Sequence, residues 1–170
     1  MKHILITVML ALVGLVASAG SPYVVAETGV GVNSESEVMW NVNAVAGYAI
    51  PFYGVVWSPE LMVGHSLIRE DKRMLGGTEK EFRVSSNFHT AFRMNLNFRL
   101  YKKLWFYTAP NVHYTVGGYR NFNHHWGLSW LAGFKYQWKN YFFRISYNQK
   151  ITPTFSKHIN PITLGVEYHF

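Results

Sequence analysis

Cysteine is absent from the 170 residues, which removes disulfides and thiolate metal sites from consideration. Charge is scarce as well. Asp, Glu, Lys and Arg together make up 15% of the chain, and the nine acids are outnumbered by sixteen Lys and Arg, for a formal net charge of +7. After the opening residues no stretch stays apolar and uncharged for the about 20 residues that a spanning helix requires. Repeats of solenoid period, low-complexity linkers and a second domain are also missing. A basic balance suits nucleic acid or anionic lipid headgroups, and the character of the N-terminus decides between them.

That N-terminus reads as an export address. Lys2 supplies a positive start, Ile4 to Val16 an apolar run too short to span a bilayer, and Ala17-Ser18-Ala19 a small-residue cleavage signal. Residues 1–19 are therefore expected to be a cleavable signal peptide and residues 20–170 a single domain. Export favours lipid over nucleic acid as the counterpart of the positive charge.

What the chain does contain is alternation. From Phe82 to Leu100 the even positions include Phe82, Val84, Phe88, Phe92, Met94, Leu96, Phe98 and Leu100. The odd positions include Arg83, Asn87, His89, Arg93, Asn95, Asn97 and Arg99. Side chains on a β-strand alternate between two faces, so one face here is greasy and the other polar. On a helix the two sets would interleave without an apolar stripe. A strand this long with so clean a division predicts a membrane-spanning β-barrel, lipid outside and a polar interior within.

Seven further segments carry the same signature: Tyr23–Val32, Val38–Ile50, Tyr53–Ser66, Leu104–Val116, Trp126–Trp138, Tyr141–Ile151 and Pro161–Phe170. Pro51-Phe52, Tyr101-Lys102-Lys103 and Lys139-Asn140 are the expected short turns, and Leu67 to Lys80 an outer loop. The predicted fold is all-β, an eight-stranded antiparallel up-and-down barrel with a packed polar lumen. Eight strands also build a lipocalin, whose apolar face points inward. The greasy face here carries Trp40, Trp57, Phe88, Phe92, Trp126, Trp130, Phe134 and Trp138, too bulky for one small cavity, so it is assigned to lipid. Pro59 and Pro110 fall mid-strand and predict bulges or register changes, because neither can donate to a ladder.

A cleavable signal, eight alternating strands and the last strand ITLGVEYHF together resemble the small OmpA/OmpX-type outer-membrane barrels. The resemblance implies that the terminal aromatics, Tyr168 and Phe170, form the insertion signal read by the barrel-assembly machinery. It is one of architecture and carries over no functional residue.

Inside, Glu27, Glu60 and Glu167 are expected to form one ion-pair network with Arg83, Arg93, Lys135 and Arg144, since a buried charge is costly unless paired. Arg99 and Lys150 fall on the same face, as do His89 and His113. Strand register is expected to put Lys135 opposite Arg144 and Arg144 opposite Glu167. Such a layer plugs so narrow a barrel; the opposing expectation is an ion-selective pore. Outside, Arg69, Lys72, Arg73, Arg120 and Lys157 are candidate contacts for lipopolysaccharide phosphates. His65, His124, His125 and His158 lie near the outer rim without regular metal-ligand spacing, so no metal or other cofactor is assigned.

An enzyme is weighed as an alternative. His113-Tyr114-Thr115 looks like the His-x-Ser of the lipid A deacylase family but has Thr in place of Ser. His65, Ser66 and Asp71 resemble, out of order, the residues used by the lipid A palmitoyltransferase family. The reading adopted is a monomeric outer-membrane barrel with a structural or surface-interaction role, whose partners are outer-membrane lipid and lipopolysaccharide. The alternatives are a lipid A-modifying enzyme and a narrow ion channel.

Overall fold

A computed structural model describes residues 20–32, 38–73, 80–117, 124–151 and 161–170. The expected signal peptide, residues 1–19, lies outside these. Eight strands follow one another: β1 (Ser21–Val32), β2 (Val38–Phe52), β3 (Val55–Arg73), β4 (Lys80–Tyr101), β5 (Leu104–Gly117), β6 (His124–Trp138), β7 (Tyr141–Lys150) and β8 (Ile162–His169). Each pairs antiparallel with the next, and β1 pairs with β8 from Tyr23↔His169 to Val30↔Ile162, which closes the barrel.

Burial alternates along the strands as the sequence divides them. Phe92 is 43% exposed and Arg93, its neighbour, 2%, so the apolar face is the outer one and the lipocalin alternative falls. Trp40, Phe88, Trp130, Phe134, Phe143 and Ile145 stand out toward lipid. Two outward tryptophans satisfy their polar edge locally. Trp40 Nε1 donates to Thr28 Oγ1 at 2.9 Å and Trp130 Nε1 to Thr108 Oγ1 at 2.7 Å. Each threonine hydroxyl in turn donates across the ladder, to the Asn41 and Leu131 carbonyls. With no water in the bilayer core, such closed arrangements keep an indole N–H affordable there.

Both prolines keep the register. The β2–β3 ladder skips between Gly47↔Glu60 and Ile50↔Trp57, and the β4–β5 ladder between Arg93↔Asn111 and Leu96↔Thr108, with the same alignment resuming on either side. Each proline costs a short gap on the side where its N–H is missing, while its other ladder runs on through Pro59↔Met94 and Pro110↔Trp130. The register shift lies instead between Arg99 and Tyr101, beside the Lys102-Lys103 turn.

Two boundaries also differ from expectation. The first short turn is Tyr53-Gly54 rather than Pro51-Phe52. Both its residues have positive φ, 44° and 84°, the conformation a two-residue hairpin turn needs and Gly54 adopts without strain. The segment Leu67 to Lys80, read as a loop, is mostly ladder: pairs run from Leu67↔Ser86 to Arg73↔Lys80. Hydrophobic alternation stops in the sequence after Ser66, although backbone pairing continues.

The turns at Tyr53-Gly54, Lys102-Lys103 and Lys139-Asn140 share one end of the barrel with Gly20 and Phe170. Residues 33–37, 74–79, 118–123 and 152–160 connect strands at the opposite end. In bacterial outer-membrane barrels the short turns are periplasmic. Aromatics collect at this end: Trp138 lies 6.3 Å from Tyr141, Tyr141 5.1 Å from Tyr168, and Tyr168 5.3 Å from Phe170 between ring centroids. They form part of the girdle expected at a membrane interface.

Candidate functional site

Inward positions on six strands bring together three carboxylates and three cations: Glu27 (β1), Glu60 (β3) and Glu167 (β8) with Arg93 (β4), Lys135 (β6) and Arg144 (β7). Arg93 holds Glu27 with both nitrogens of its fork, Nη1 to Oε1 at 3.0 Å and Nη2 to Oε2 at 3.1 Å, and approaches Glu60 at 3.5 Å. Arg144 touches all three acids: Glu60 at 2.9 Å, Glu167 at 3.1 Å, and Glu27 through Nη2. Lys135 Nζ donates to Glu167 Oε2 at 2.8 Å. None of these six side chains is more than 4% exposed. Equal numbers of opposite charges, forked donors and shared acceptors are what make such a dry cluster tolerable.

The cluster is flanked by groups that sequence reasoning did not assign to it. Tyr23 donates its hydroxyl to Glu60 at 2.9 Å, and Lys135 lies 4.8 Å over the Tyr107 ring. His169 meets Glu167 Oε1 at 2.6 Å and stacks on Tyr23 with centroids 4.9 Å apart. The signal for these was available: Tyr23 shares strand parity with Glu27, and His169 with Glu167. Toward the other end, His89 bridges Ser66 Oγ at 3.1 Å and Asn43 Oδ1 at 2.8 Å, and Asn43 donates to Glu27 at 3.5 Å. Small residues make room for these side chains. A Cβ at Gly47 would land on the Tyr23 ring, and one at Gly127 on the His113 imidazole.

Lys135 does pair with Arg144 across β6 and β7, but Arg144 faces Gly165, not Glu167, which stands across from Phe142. The same Gly165 faces Glu27 on β1. Arg144 reaches Glu167 diagonally, because its side chain spans further than the two-residue offset. Arg99 is not part of the cluster: it is exposed and donates from Nε to the Lys102 carbonyl at 2.9 Å, tying down a turn. Arg83 pairs with Glu70 in the β3–β4 ladder, and its side chain lies outside the described residues.

The outer cations are only partly described. Arg69 is exposed and sits on β3 between Val38 and Val84, in strand rather than loop. Lys72 and Arg73 also belong to β3, their side chains outside the described residues, as are Arg120 and Lys157 entirely. Phe170 is 70% exposed, with its N–H donating to the Pro22 carbonyl at 3.2 Å.

The His65 and Ser66 of one enzyme-like constellation stand on opposite faces of β3. His65 is exposed on the outer face, bonded to Ser86 Oγ at 2.6 Å, while Ser66 is buried on the inner face. The Asp71 side chain lies outside the described residues. His113 is only partly buried, its ring lying over Gly127. Among the described residues no group of three His, Asp or Glu side chains could hold a metal ion; the side chains of His124, His125 and His158 are not among them.

A closed barrel of eight antiparallel strands with a lipid-facing apolar surface is matched by solved structures. The crystal structure of Neisserial surface protein A aligns with a TM-score of 0.56 and 12% identity, covering 89% of this chain and 97% of that one. This chain has the fold of the small eight-stranded outer-membrane barrels. Ail, the attachment invasion locus protein of Yersinia pestis, aligns in its crystal structure with a TM-score of 0.51, 12% identity and coverage of 89% and 97%. In a phospholipid nanodisc the Ail backbone aligns at 0.50 and 12% identity, covering 89% of this chain and 99% of that one. The likeness is one of architecture. No protein-family model and no curated protein matches the chain.

Proposed function

We propose that this protein resides in the outer membrane of a Gram-negative envelope and works through its outer surface, as a structural or surface-interaction protein whose rim meets lipopolysaccharide. The observation that carries the reading is the buried ion-pair cluster. It fills the lumen with mutually paired charge and leaves no open path among the described residues, which favours the surfaces as the place of action. The basic excess supports an anionic counterpart, and exposed Arg69 on the extended β3–β4 hairpin lies at the end where lipopolysaccharide would stand. A guanidinium suits phosphate because it offers two parallel donors to two oxygens. Surface and attachment appear in the names of two proteins that share the fold, which agrees with a surface role.

The test replaces Arg69, Lys72, Arg73, Arg120 and Lys157 together with Gln and measures lipopolysaccharide retained by the barrel purified in mild detergent. Retention should fall well below wild type while the barrel stays folded. Unchanged retention would remove lipopolysaccharide from the proposal. Mass spectrometry of lipid A from cells with and without the protein should give identical spectra. An added or missing acyl chain would make it an enzyme.

A further inference from the structure

Ser21, His169 and Glu167 stand in line at the short-turn end of the barrel. Lys135 and Arg144 both bond Oε2 of Glu167, and His169 Nε2 lies 2.6 Å from its Oε1. A carboxylate only accepts, so Nε2 carries the ring proton and Nδ1 keeps its lone pair. Ser21 Oγ, 3.3 Å from Nδ1, is therefore the donor in that contact. A hydroxyl, a base and an orienting carboxylate in this order are the arrangement that activates a nucleophile.

The base is fixed from several sides. Its ring stacks on Tyr23 with centroids 4.9 Å apart and lies 4.8 Å from the Phe142 ring. The His169 N–H donates to the Asn140 carbonyl at 3.0 Å and the Phe170 N–H to the Pro22 carbonyl at 3.2 Å, so the β6–β7 turn and β1 both hold the end of β8. Ser21 and His169 are half-buried, and both line a cavity of about 330 Å³ that also reaches Val56, Trp105 and Phe142. This volume lies at the lower end of ordinary small-ligand pockets, about 300–1,000 Å³. Its Lys135–Glu167 wall is already charge-compensated, which favours a guest without net charge, and its apolar sides suit an alkyl chain.

We propose that Ser21, His169 and Glu167 hydrolyse acyl esters without net charge that reach the cavity from the short-turn, periplasmic side. Ser21 Oγ bonds to the ester carbonyl carbon while its proton passes to His169 Nδ1, and Glu167 stabilises the imidazolium so formed. The bond to the alcohol oxygen then breaks, and that oxygen takes the proton from Nδ1. Water attacks the acyl-Ser21 ester with Nδ1 as base; the acid leaves, and Ser21 Oγ recovers its proton from the ring. The 3.3 Å contact is slightly longer than the about 2.6–3.2 Å of a working pair, as such contacts are before substrate tightens them. This activity goes beyond the surface role, since the site lies at the opposite end of the barrel from Arg69. The ester's two sources are a soluble short-chain ester and an acyl chain of a periplasmic-leaflet glycerophospholipid, which share this chemistry.

The test purifies the wild type and Ser21→Ala in parallel from outer membranes into micelles. Both are treated with a fluorophosphonate, which labels activated serines, and assayed with p-nitrophenyl butyrate and with phosphatidylethanolamine vesicles. Mass spectrometry should place the label on Ser21, and ester turnover should fall to background in Ser21→Ala. That variant gives up one peripheral contact and should keep its barrel, checked by the change in gel mobility on boiling. His169→Gln should lower kcat about a hundredfold or more, the loss of a general base. Glu167 is a positioning residue, so Glu167→Gln, assayed on the folded fraction, should lower kcat and leave KM; an unchanged kcat would remove it from the proposal. Turnover of the butyrate ester alone identifies a soluble ester, and fatty acid released from the vesicles identifies the leaflet phospholipid. An unlabelled Ser21, or equal turnover in wild type and Ser21→Ala, would overturn the proposal and leave the Ser21–His169 contact a structural one.

Discussion

Arg144 reaches Glu27 over Gly165, the register position that separates them on the sheet and that carries no side chain. A Cβ on Gly165 would lie 3.0 Å from Glu27 Cγ and 3.1 Å from Arg144 Cγ, tight enough that both must yield. The branched side chain in Gly165→Val should force them apart and destabilise the barrel by about 1–3 kcal/mol or more, as overpacking does. Gly165→Ala should cost less. Urea unfolding in lipid vesicles measures both, and a Val variant as stable as wild type would refute the close passage.

Glu167 holds Lys135 and Arg144 on one oxygen and His169 on the other. Glu167→Gln removes the charge that both cations share, and breaking a buried pair costs about 3–5 kcal/mol. The added Arg144→Gln change deletes one of the stranded cations, so the double variant should lose less than the two single losses combined. Strict additivity in the same unfolding measurement would show that the two side chains are not energetically coupled.

The faces of this barrel were legible because lipid enforces them. Phe92 and Arg93 differ by one residue and stand on opposite sides, and no other arrangement puts the whole Phe82–Leu100 pattern in tolerable surroundings. The outer ends were less legible, since Leu67 to Arg73 pairs as strand although its sequence, LIREDKR, offers no clean alternation to read. Members of the lumen cluster could be named from parity, but their pairings could not. Arg144 touches three acids on three strands, and side chains that long are not confined to the residue opposite. The meeting of Ser21 with His169 left no trace in the sequence, because it is set by where the barrel closes, which alternation does not record.

Thr108 shows how the outer face handles polarity. Its hydroxyl accepts from the Trp130 indole and donates to the Leu131 carbonyl, all on the lipid side. Thr108→Val keeps the shape and strands the indole N–H, which should cost about 1–3 kcal/mol. Trp130→Phe in the same chain removes the stranded donor and should restore part of the loss. If the valine variant is neutral, the indole has found another partner and the threonine is incidental.

Phe170 should govern delivery rather than stability. It is 70% exposed, edge-on to Tyr168 in the aromatic cluster at the short-turn end, and makes one backbone bond, to Pro22. Deleting it removes little from the lumen. Yield in the outer membrane should nonetheless fall sharply if the assembly machinery reads the terminal aromatic, while periplasmic levels persist. Fractionation with immunoblotting measures this, and normal insertion of the shortened chain would refute the signal.

The ion-pair cluster also predicts what the barrel does not conduct. An ion crossing the lumen must pass Arg93, Arg144 and Lys135, each already held by a carboxylate within 3.1 Å. Eight strands leave an interior that side chains fill, so opening a path means breaking several of these contacts together. Each broken pair exposes a charge in surroundings where it costs about 3–5 kcal/mol, which should keep open states too rare for steady current. Purified wild-type monomer in a planar bilayer should therefore show no stable conductance. Glu27→Ala should raise the frequency of brief openings, because it removes the carboxylate that Arg93 and Arg144 share and leaves Arg93 only its longer contact with Glu60. A large, stable conductance from the wild type would mean that the cluster is a selective gate and not a plug.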